Sequence, residues 1–505
     1  MKCQVILNRH YRIGTVDERI YGGFIEHLGR AVYEGIYQPD HPCADEDGFR
    51  TDVLELVREL GTPLTRYPGG NFVSGYNWED GVGPREKRPV RLDLAWKALE
   101  PNTFGTDEFM KWCRKAGTAP MMAVNLGTRG PADAQRLVEY CNFPGGTEQS
   151  EQRRANGSPE PYGVKLWCLG NEMDGIWQTG HCPAEEYGRR AHEAAKMMKW
   201  TDPSVELVVC GSSSDGMPTF GAWESAVLEE TYDVADYLSI HKYFANPHDQ
   251  TPGYLSMPEA MSEFITRTLA VCDAVGARKK SAKKIMLSFD EWNVWFHSHG
   301  EEKNSPEWTV ARPLLEDIYT MEDALLVGML MMTLLDHADR VKVACIAQSV
   351  NVIAPIMTDK TGRAWRQTIF YPFALTAKYG RGSVLRAVVD SPCYDAEFGA
   401  PATVRRNTSC LRTTSVYNEE RGEVVIFAVN RDLAGEMEME VHLEDFEPEQ
   451  VIEQKELRHD DLKAVNSAAS EPVAPVDRES ATLSGGTLRV RLRPASWNMI
   501  RVKVR

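Results

Sequence analysis

The chain has no CxxC pair, no apolar run of membrane length and no excess of positive charge, and each gap closes off a class of function. Its eleven cysteines, an odd number, lie scattered, mostly inside apolar segments such as "VVCG" and "VACIA". That pattern makes neither a disulfide framework nor a zinc site and reads as free thiols in a reducing compartment. The greasiest stretch, "ALLVGMLMMTLL" (residues 324–335), falls short of the roughly 20 apolar residues that span a bilayer, and it contains Gly328 and Thr333. The opening "MKCQVILNRHYRIG" has no signal-peptide apolar core and no small-residue cleavage site, so the expected location is cytoplasmic, with no membrane partner. A net charge of −16 argues against nucleic acid as a partner, because that partner calls for a basic surface. No GxGxxG or GxxxxGK follows the first apolar run, so the nucleotide-binding folds lack their fingerprint. No cofactor and no metal are expected.

What is present is a long alternation. At 505 residues the chain exceeds one ordinary domain. Eight short apolar runs, "IYGGFIEHL", "TPLTRYPGGN", "APMMAVNLG", "VKLWCLGNE", "VELVVCGSS", "DYLSIHKYF", "KIMLSFDEWN" and "VKVACIAQSVN", are separated by segments with helical spacing. "DVLELVREL" is one such segment, and "EFMKWCRKAG" closes on a helix-ending Gly117. Eight β/α repeats predict a (β/α)8 TIM barrel over residues 15–380, of class α/β. From residue 381 to 505 the texture becomes that of short alternating strands, such as "GEVVIFAVNRD" and "WNMIRVKVR", which predicts an antiparallel, jelly-roll-like β-sandwich. Residues 1–14 are expected to add a strand to it. The Ser/Ala/Pro-rich stretch over residues 462–486 reads as a surface loop.

A TIM barrel works at the C-terminal ends of its strands. There the predicted strands carry Glu26, Asn71, Asn125, Asn171 with Glu172, Ser212, His241 with Tyr243, Glu291 and Gln348. Unpaired, each buried polar group would cost about 1–3 kcal/mol, so their convergence on one mouth points to a polar ligand. Glu172 ends strand four and Glu291 ends strand seven, and these strands face each other across a closed barrel. Two carboxylates flanking one bond are the apparatus of glycoside hydrolysis; the bland alternative is a pair of salt-bridged structural acids. Trp96, Tyr243, Trp292 and Trp295 are candidates to stack on a sugar ring, although core packing is the commoner fate of a single aromatic. Arg66 and the amides suit hydroxyl groups. His297 and His299 have no third ligand nearby and read as a rim loop rather than a metal site. The basic run over residues 278–284 reads as a solvated helix end, and "PGGN" as a tight turn that aims Asn71 inward.

At these residues a resemblance becomes specific. "CLGNEMDG", "FDEWNVW", "RYPGGNFVSGYNWEDG", "FIEHLGRAVYEGIY" and "NVIAPI" resemble, in order, the family 51 glycoside hydrolases, the α-L-arabinofuranosidases of clan A. The likeness covers essentially the whole chain. It implies a retaining, exo-acting enzyme that removes terminal α-L-arabinofuranosyl groups from arabinan- or arabinoxylan-derived oligosaccharides, assembled as a homohexamer. By the same resemblance Glu172 is the general acid/base and Glu291 the nucleophile. Glu26, Asn71, Asn171, Tyr243 and Gln348 bind the sugar, and Arg66 and His241 support the nucleophile. Trp96 and Trp295 wall the pocket, with His299 near its rim. One departure is "HKYFAN", where Lys242 stands in place of an amide. Two rival readings stay open: another retaining barrel glycosidase, such as a β-xylosidase or endoglucanase, and a non-catalytic carbohydrate-binding protein.

Overall fold

The structure, a computed structural model, describes residues 1–298 and 305–505. All eight apolar runs form strands, and these close into one parallel barrel: β2 (Gly22–Phe24), β3 (Leu64–Tyr67), β4 (Ala119–Val124), β5 (Leu166–Leu169), β6 (Glu206–Cys210), β7 (Tyr237–Phe244), β8 (Met286–Val294) and β9 (Val341–Ile346). Each strand is followed by a helix: α1 (Thr51–Leu60), α2 (Thr106–Ala116), α3 (Pro131–Asn142), α4 (Ala184–Thr201), α5 (Ala222–Thr231), α6 (Met257–Arg278), α7 (Met321–Asp336) and α8 (Phe370–Tyr379). The helices bury one stripe, as the spacing requires: α1 turns Val53, Leu54, Val57 and Leu60 inward. α2 ends at Gly117, whose φ of +76° is a left-handed cap that glycine adopts without strain. α7 is the exception. It is buried all round, because one side packs on the barrel and the other meets the second domain.

That second domain is a ten-stranded sheet ordered β15-β14-β18-β12-β11-β10-β1-β13-β17-β16. Its members are β1 (Lys2–Thr15), β10 (Ser383–Asp390), β11 (Leu411–Asn418), β12 (Glu423–Asn430), β13 (Met437–Glu444), β14 (Pro448–Leu457), β15 (Val476–Asp477), β16 (Thr482–Ser484), β17 (Thr487–Leu492) and β18 (Ser496–Val504). The N-terminal strand lies mid-sheet, antiparallel to β10 but parallel to β13. The pairing is therefore not antiparallel throughout, because β1 must run toward the barrel it leads into. Val424, Ile426 and Ala428 of β12 face a core shared with Val5, Val441 and Leu488. Val425, Phe427 and Val429 face the barrel. The two periods of one strand thus bind the sheet to itself and to the barrel.

The expected surface loop is irregular and largely exposed, and it also makes specific contacts. Ala464 and Leu462 accept hydrogen bonds from the backbone N–H groups of Met321 (2.9 Å) and Glu322 (3.1 Å), satisfying the open end of α7. Glu471 accepts from the Tyr371 hydroxyl at 2.6 Å. Residues 462–471 strap the sheet to the barrel.

Candidate active site

The mouth of the barrel holds a cavity of ≈ 470 Å³ lined by Glu26, Asn71, Trp96, Glu172, Tyr243, Glu291, Trp295 and Gln348, all predicted site residues. Three more, Arg66, Asn171 and His241, lie directly behind its wall and are almost fully buried. His299 lies outside the described residues.

Local backbone sets the two carboxylates. β5 stops at Leu169, Gly170 turns with φ +90°, and Glu172 itself sits at φ +43°. That left-handed turn is costly for a non-glycine residue and is tolerated where its surroundings enforce it. On β8 the pairing slips between Ser288 and Glu291 against β7 and between Phe289 and Trp292 against β9. Strict alternation would point Asp290 and Glu291 to opposite faces; the bulge turns both into the barrel.

Around Glu291, Arg66 Nη1 donates to Oε1 at 2.6 Å and the Tyr243 hydroxyl donates to Oε2 at 2.7 Å. Around Glu172, Trp177 Nε1 donates to Oε2 at 2.6 Å, and His241 Nδ1 lies 2.9 Å from Oε1. His241 supports Glu291 as an ion pair, Nδ1 standing 3.6 Å from Oε2, while the hydrogen bond of Nδ1 goes to Glu172. Its Nε2 meets Asp290 at 3.2 Å. Burial alone would push the imidazole down, but Glu291, Asp290 and Glu172 outweigh it and raise His241 to about 10, so it is an imidazolium at neutral pH. Burial pushes Glu26 up to about 8, with Glu291 adding to the rise against the Phe72 N–H and Trp96 indole. Near neutrality Glu26 therefore keeps its proton. It is fixed by Phe72 N (2.9 Å), Trp96 Nε1 (3.0 Å) and Gln348 Nε2 (3.2 Å).

Several polar strand ends do other work. The Asn171 amide is engaged by Arg66 (2.7 Å) and Gln178 (3.2 Å), so it orients the arginine and stays off the cavity wall. Asn125 ties the loop after β4 to Tyr76 and Thr128, and the Ser212 backbone N–H donates to Glu224 at 2.8 Å. Trp292 is fully buried and stacks on Phe373, which makes it core. His297 bonds Asp323 at 2.8 Å. Lys242 forms an ion pair with Asp215 and lies 5.8 Å from the Phe244 and Phe264 rings, behind the cavity. The sequence reading passed over Trp177 and Asp290. Trp177 follows the strand in an exposed turn, and the bulge that turns Asp290 inward has no sequence signature.

Oxygens of Glu172 and Glu291 and a nitrogen of His241 lie within 4.8 Å of one another, a spacing a cation could bridge. Both His241 nitrogens are already committed to carboxylates, and an imidazolium has no lone pair to offer. The arrangement suits proton and glycosyl transfer instead. Inverting enzymes separate their carboxyls by about 6.5–9.5 Å to admit a water, whereas retaining ones keep them about 5–5.5 Å apart.

Comparison with known proteins agrees with this geometry. Residues 56–256 match the α-L-arabinofuranosidase 1 domain, and residues 290–496 match the α-L-arabinofuranosidase C-terminal domain. An intracellular exo-α-(1→5)-L-arabinofuranosidase 1 from Bacillus subtilis is 54% identical, with 99% of each chain covered. One from Acetivibrio thermocellus is 52% identical over 99% of each. The solved structure of AbfB, a family 51 α-L-arabinofuranosidase from Bifidobacterium longum, superimposes with TM-score 0.94 at 43% identity, covering 99% of both chains. Barrel and paired carboxylates together define a glycoside hydrolase. Within that class, the chain belongs to the family 51 α-L-arabinofuranosidases.

Proposed function

We propose that the protein is a retaining, exo-acting α-L-arabinofuranosidase working inside the cell on arabinan- or arabinoxylan-derived oligosaccharides, with Glu291 as nucleophile and Glu172 as general acid/base. The carrying observation is the close approach of these two carboxylates, within 4.8 Å, each held by its own donors. Arg66 and Tyr243 hold and aim Glu291. Its carboxylate attacks the anomeric carbon while Glu172 gives its proton to the departing oxygen, leaving a glycosyl ester on Glu291. Glu172, now a carboxylate, takes a proton from water; the water oxygen attacks the same carbon and releases Glu291. Glu26, Asn71 and Gln348 offer hydrogen bonds to the sugar hydroxyls, and Trp96 and Trp295 wall the ring. The two relatives named intracellular support the location. The homohexamer belongs to the same proposal and is read by sedimentation of the purified protein.

Two measurements test the assignment. Turnover of 4-nitrophenyl α-L-arabinofuranoside is expected to exceed that of the β-D-xylopyranoside; the reverse preference favours a xylosidase. Glu291→Ala should cost at least about 10³-fold in kcat, the scale of losing a group that acts in a concerted unit. Azide should restore part of that activity and give a product of inverted configuration. Glu172→Ala should keep rapid glycosylation by activated aryl glycosides, and azide should give it a product of retained configuration. Exchanged phenotypes would exchange the roles, and binding of arabino-oligosaccharides without any hydrolysis would leave a carbohydrate-binding protein.

A further inference from the structure

Asp290 is fully buried and does not line the cavity, so it touches no substrate. It nevertheless contacts both cations of the site. Its Oδ1 accepts from the Ser239 hydroxyl at 2.5 Å and meets His241 Nε2 at 3.2 Å. Its Oδ2 lies 3.7 Å from Arg66 Nε and accepts from Cys168 Sγ at 3.5 Å. Arg66 reaches on to Glu291, and His241 reaches on to Glu172. One inner carboxylate thus stands behind both working carboxylates.

We propose that Asp290 is a positioning and charge-balancing residue, the fixed anion that lets Arg66 and His241 both stay cationic and keeps the summed charge of Arg66, His241, Asp290, Glu291 and Glu172 unchanged through both halves of the double displacement. This rests on the roles given above to Glu172 and Glu291. Before reaction, Arg66 and His241 carry two positive charges, Asp290 and ionised Glu291 two negative ones, and Glu172 is a neutral acid. After glycosylation, Glu291 is an uncharged ester and Glu172 has lost its proton, so the sum is again zero. The proton leaves Glu172 in the step that removes the charge on Glu291, and no net charge appears in a low-dielectric pocket, where it would be expensive. Without Asp290 the cluster carries one surplus positive charge in both states. That surplus favours the carboxylate form of Glu172 before the sugar arrives.

The other titratable groups facing Asp290 do not share this task. Cys168 on β5, Cys210 on β6 and Cys345 on β9 are buried thiols; burial pushes Cys210 up to about 12 and the other two well above the ordinary thiol value. Glu26 keeps its proton near neutral pH. Burial would raise Asp290 itself, but Arg66 and His241 hold it below the ordinary carboxylate value, so it stays ionised across the working range.

The test is the pH profile of kcat/KM for the wild type, Asp290→Asn and Ser239→Ala. It uses phenyl α-L-arabinofuranoside, whose leaving group needs a proton, and the 2,4-dinitrophenyl analogue, which needs none. Asp290→Asn is expected to move the alkaline limb for the phenyl substrate to lower pH by about one unit or more, while sparing the dinitrophenyl substrate on that limb. Ser239→Ala removes a hydrogen bond but no charge, and should leave the limb in place. A uniform loss at every pH with the limb unmoved would make Asp290 merely structural and overturn the inference. If the wild type showed the same alkaline limb with both leaving groups, the role of Glu172 would fall instead. Independently of how the variants fold, ¹⁵N NMR of histidine-labelled wild type should show His241 doubly protonated at pH 7.5; a neutral tautomer there would overturn the charge balance.

Discussion

A methyl group on Gly70 would sit 2.5 Å from Glu26 Oε2 and 2.9 Å from its carboxyl carbon. A free side chain would move aside, but Glu26 is pinned by Phe72, Trp96 and Gln348. Gly70→Ala should therefore displace the cavity-lining carboxyl of Glu26 by a fraction of an ångström and lower kcat/KM by about 10- to 100-fold, the penalty of small misplacement. Crowding a pinned, buried group should also cost about 1–3 kcal/mol of stability. Steady-state kinetics beside a melting curve checks this, and unaltered kinetics would mean that the pocket has slack. Such packing explains which site residues could be read from the chain. Glu172, Glu291, Glu26, Asn71 and Gln348 end apolar runs, so their polarity stands out against the pattern. Asp290 was hidden because a period of two assigns it outward, and only the bulge in β8 brings it in. Asn125 shows the converse: it carries the same end-of-strand signal yet serves the loop behind it.

Among the elements, the strands and the helices between them were legible because burial on both faces leaves a barrel strand uniformly apolar, while a helix keeps one wet face. The greasy run over residues 324–335 resisted that logic, since the surface covering its far side comes from β10, β11, β12 and β18 of the other domain. In the structure it is α7, and its glycine has a packing reason. A Cβ on Gly328 would lie 2.4 Å from Cδ1 and 2.6 Å from Nε1 of Trp497, a fully buried indole on β18. Helix and sheet meet at that contact. Gly328→Ala gains helix propensity of roughly 1 kcal/mol but has to push a rigid ring out of a packed interface, at about 1–3 kcal/mol. The balance should lower stability and loosen the seam between barrel and sheet. Hydrogen exchange along α7 and β18 would report it, and a variant as protected as the wild type would contradict the packing argument. Residues 462–471 form the irregular, largely exposed stretch that their composition signals, but composition says nothing of the helix end their carbonyls satisfy.

For the whole molecule, buried acids in the site and away from it set how stability responds to pH. Burial first, with nearby carboxylates adding to it, raises Glu26 to about 8, Asp93 to about 7, and Asp133 and Asp174 to about 6, from ordinary values of 4.5 and 3.8. His241 is raised from 6.5 to about 10, its carboxylate partners outweighing burial. In each case the folded chain binds the proton more tightly than the unfolded one, so the slope of unfolding free energy with pH is negative. The four carboxylates exert no such pull well below their ordinary values; they destabilise progressively from about pH 4 to 8. The stabilisation from His241 is complete below 6.5 and is lost as pH rises through 10. Asp290 and Asp52, held low against burial by Arg66 and Arg50, work the other way, but only as pH falls below the ordinary carboxylate value. The net charge of −16 grows more negative with pH and adds self-repulsion of the same sign. The melting midpoint, measured at one scan rate, should therefore be highest on the mildly acid side and decline from pH 5.5 through 7 to 8.5. Glu26→Gln, which is neutral at every pH, should make that decline shallower between 5.5 and 8 at the expense of sugar binding. A midpoint that rose with pH would mean that these acids are solvated and ionised in the folded chain.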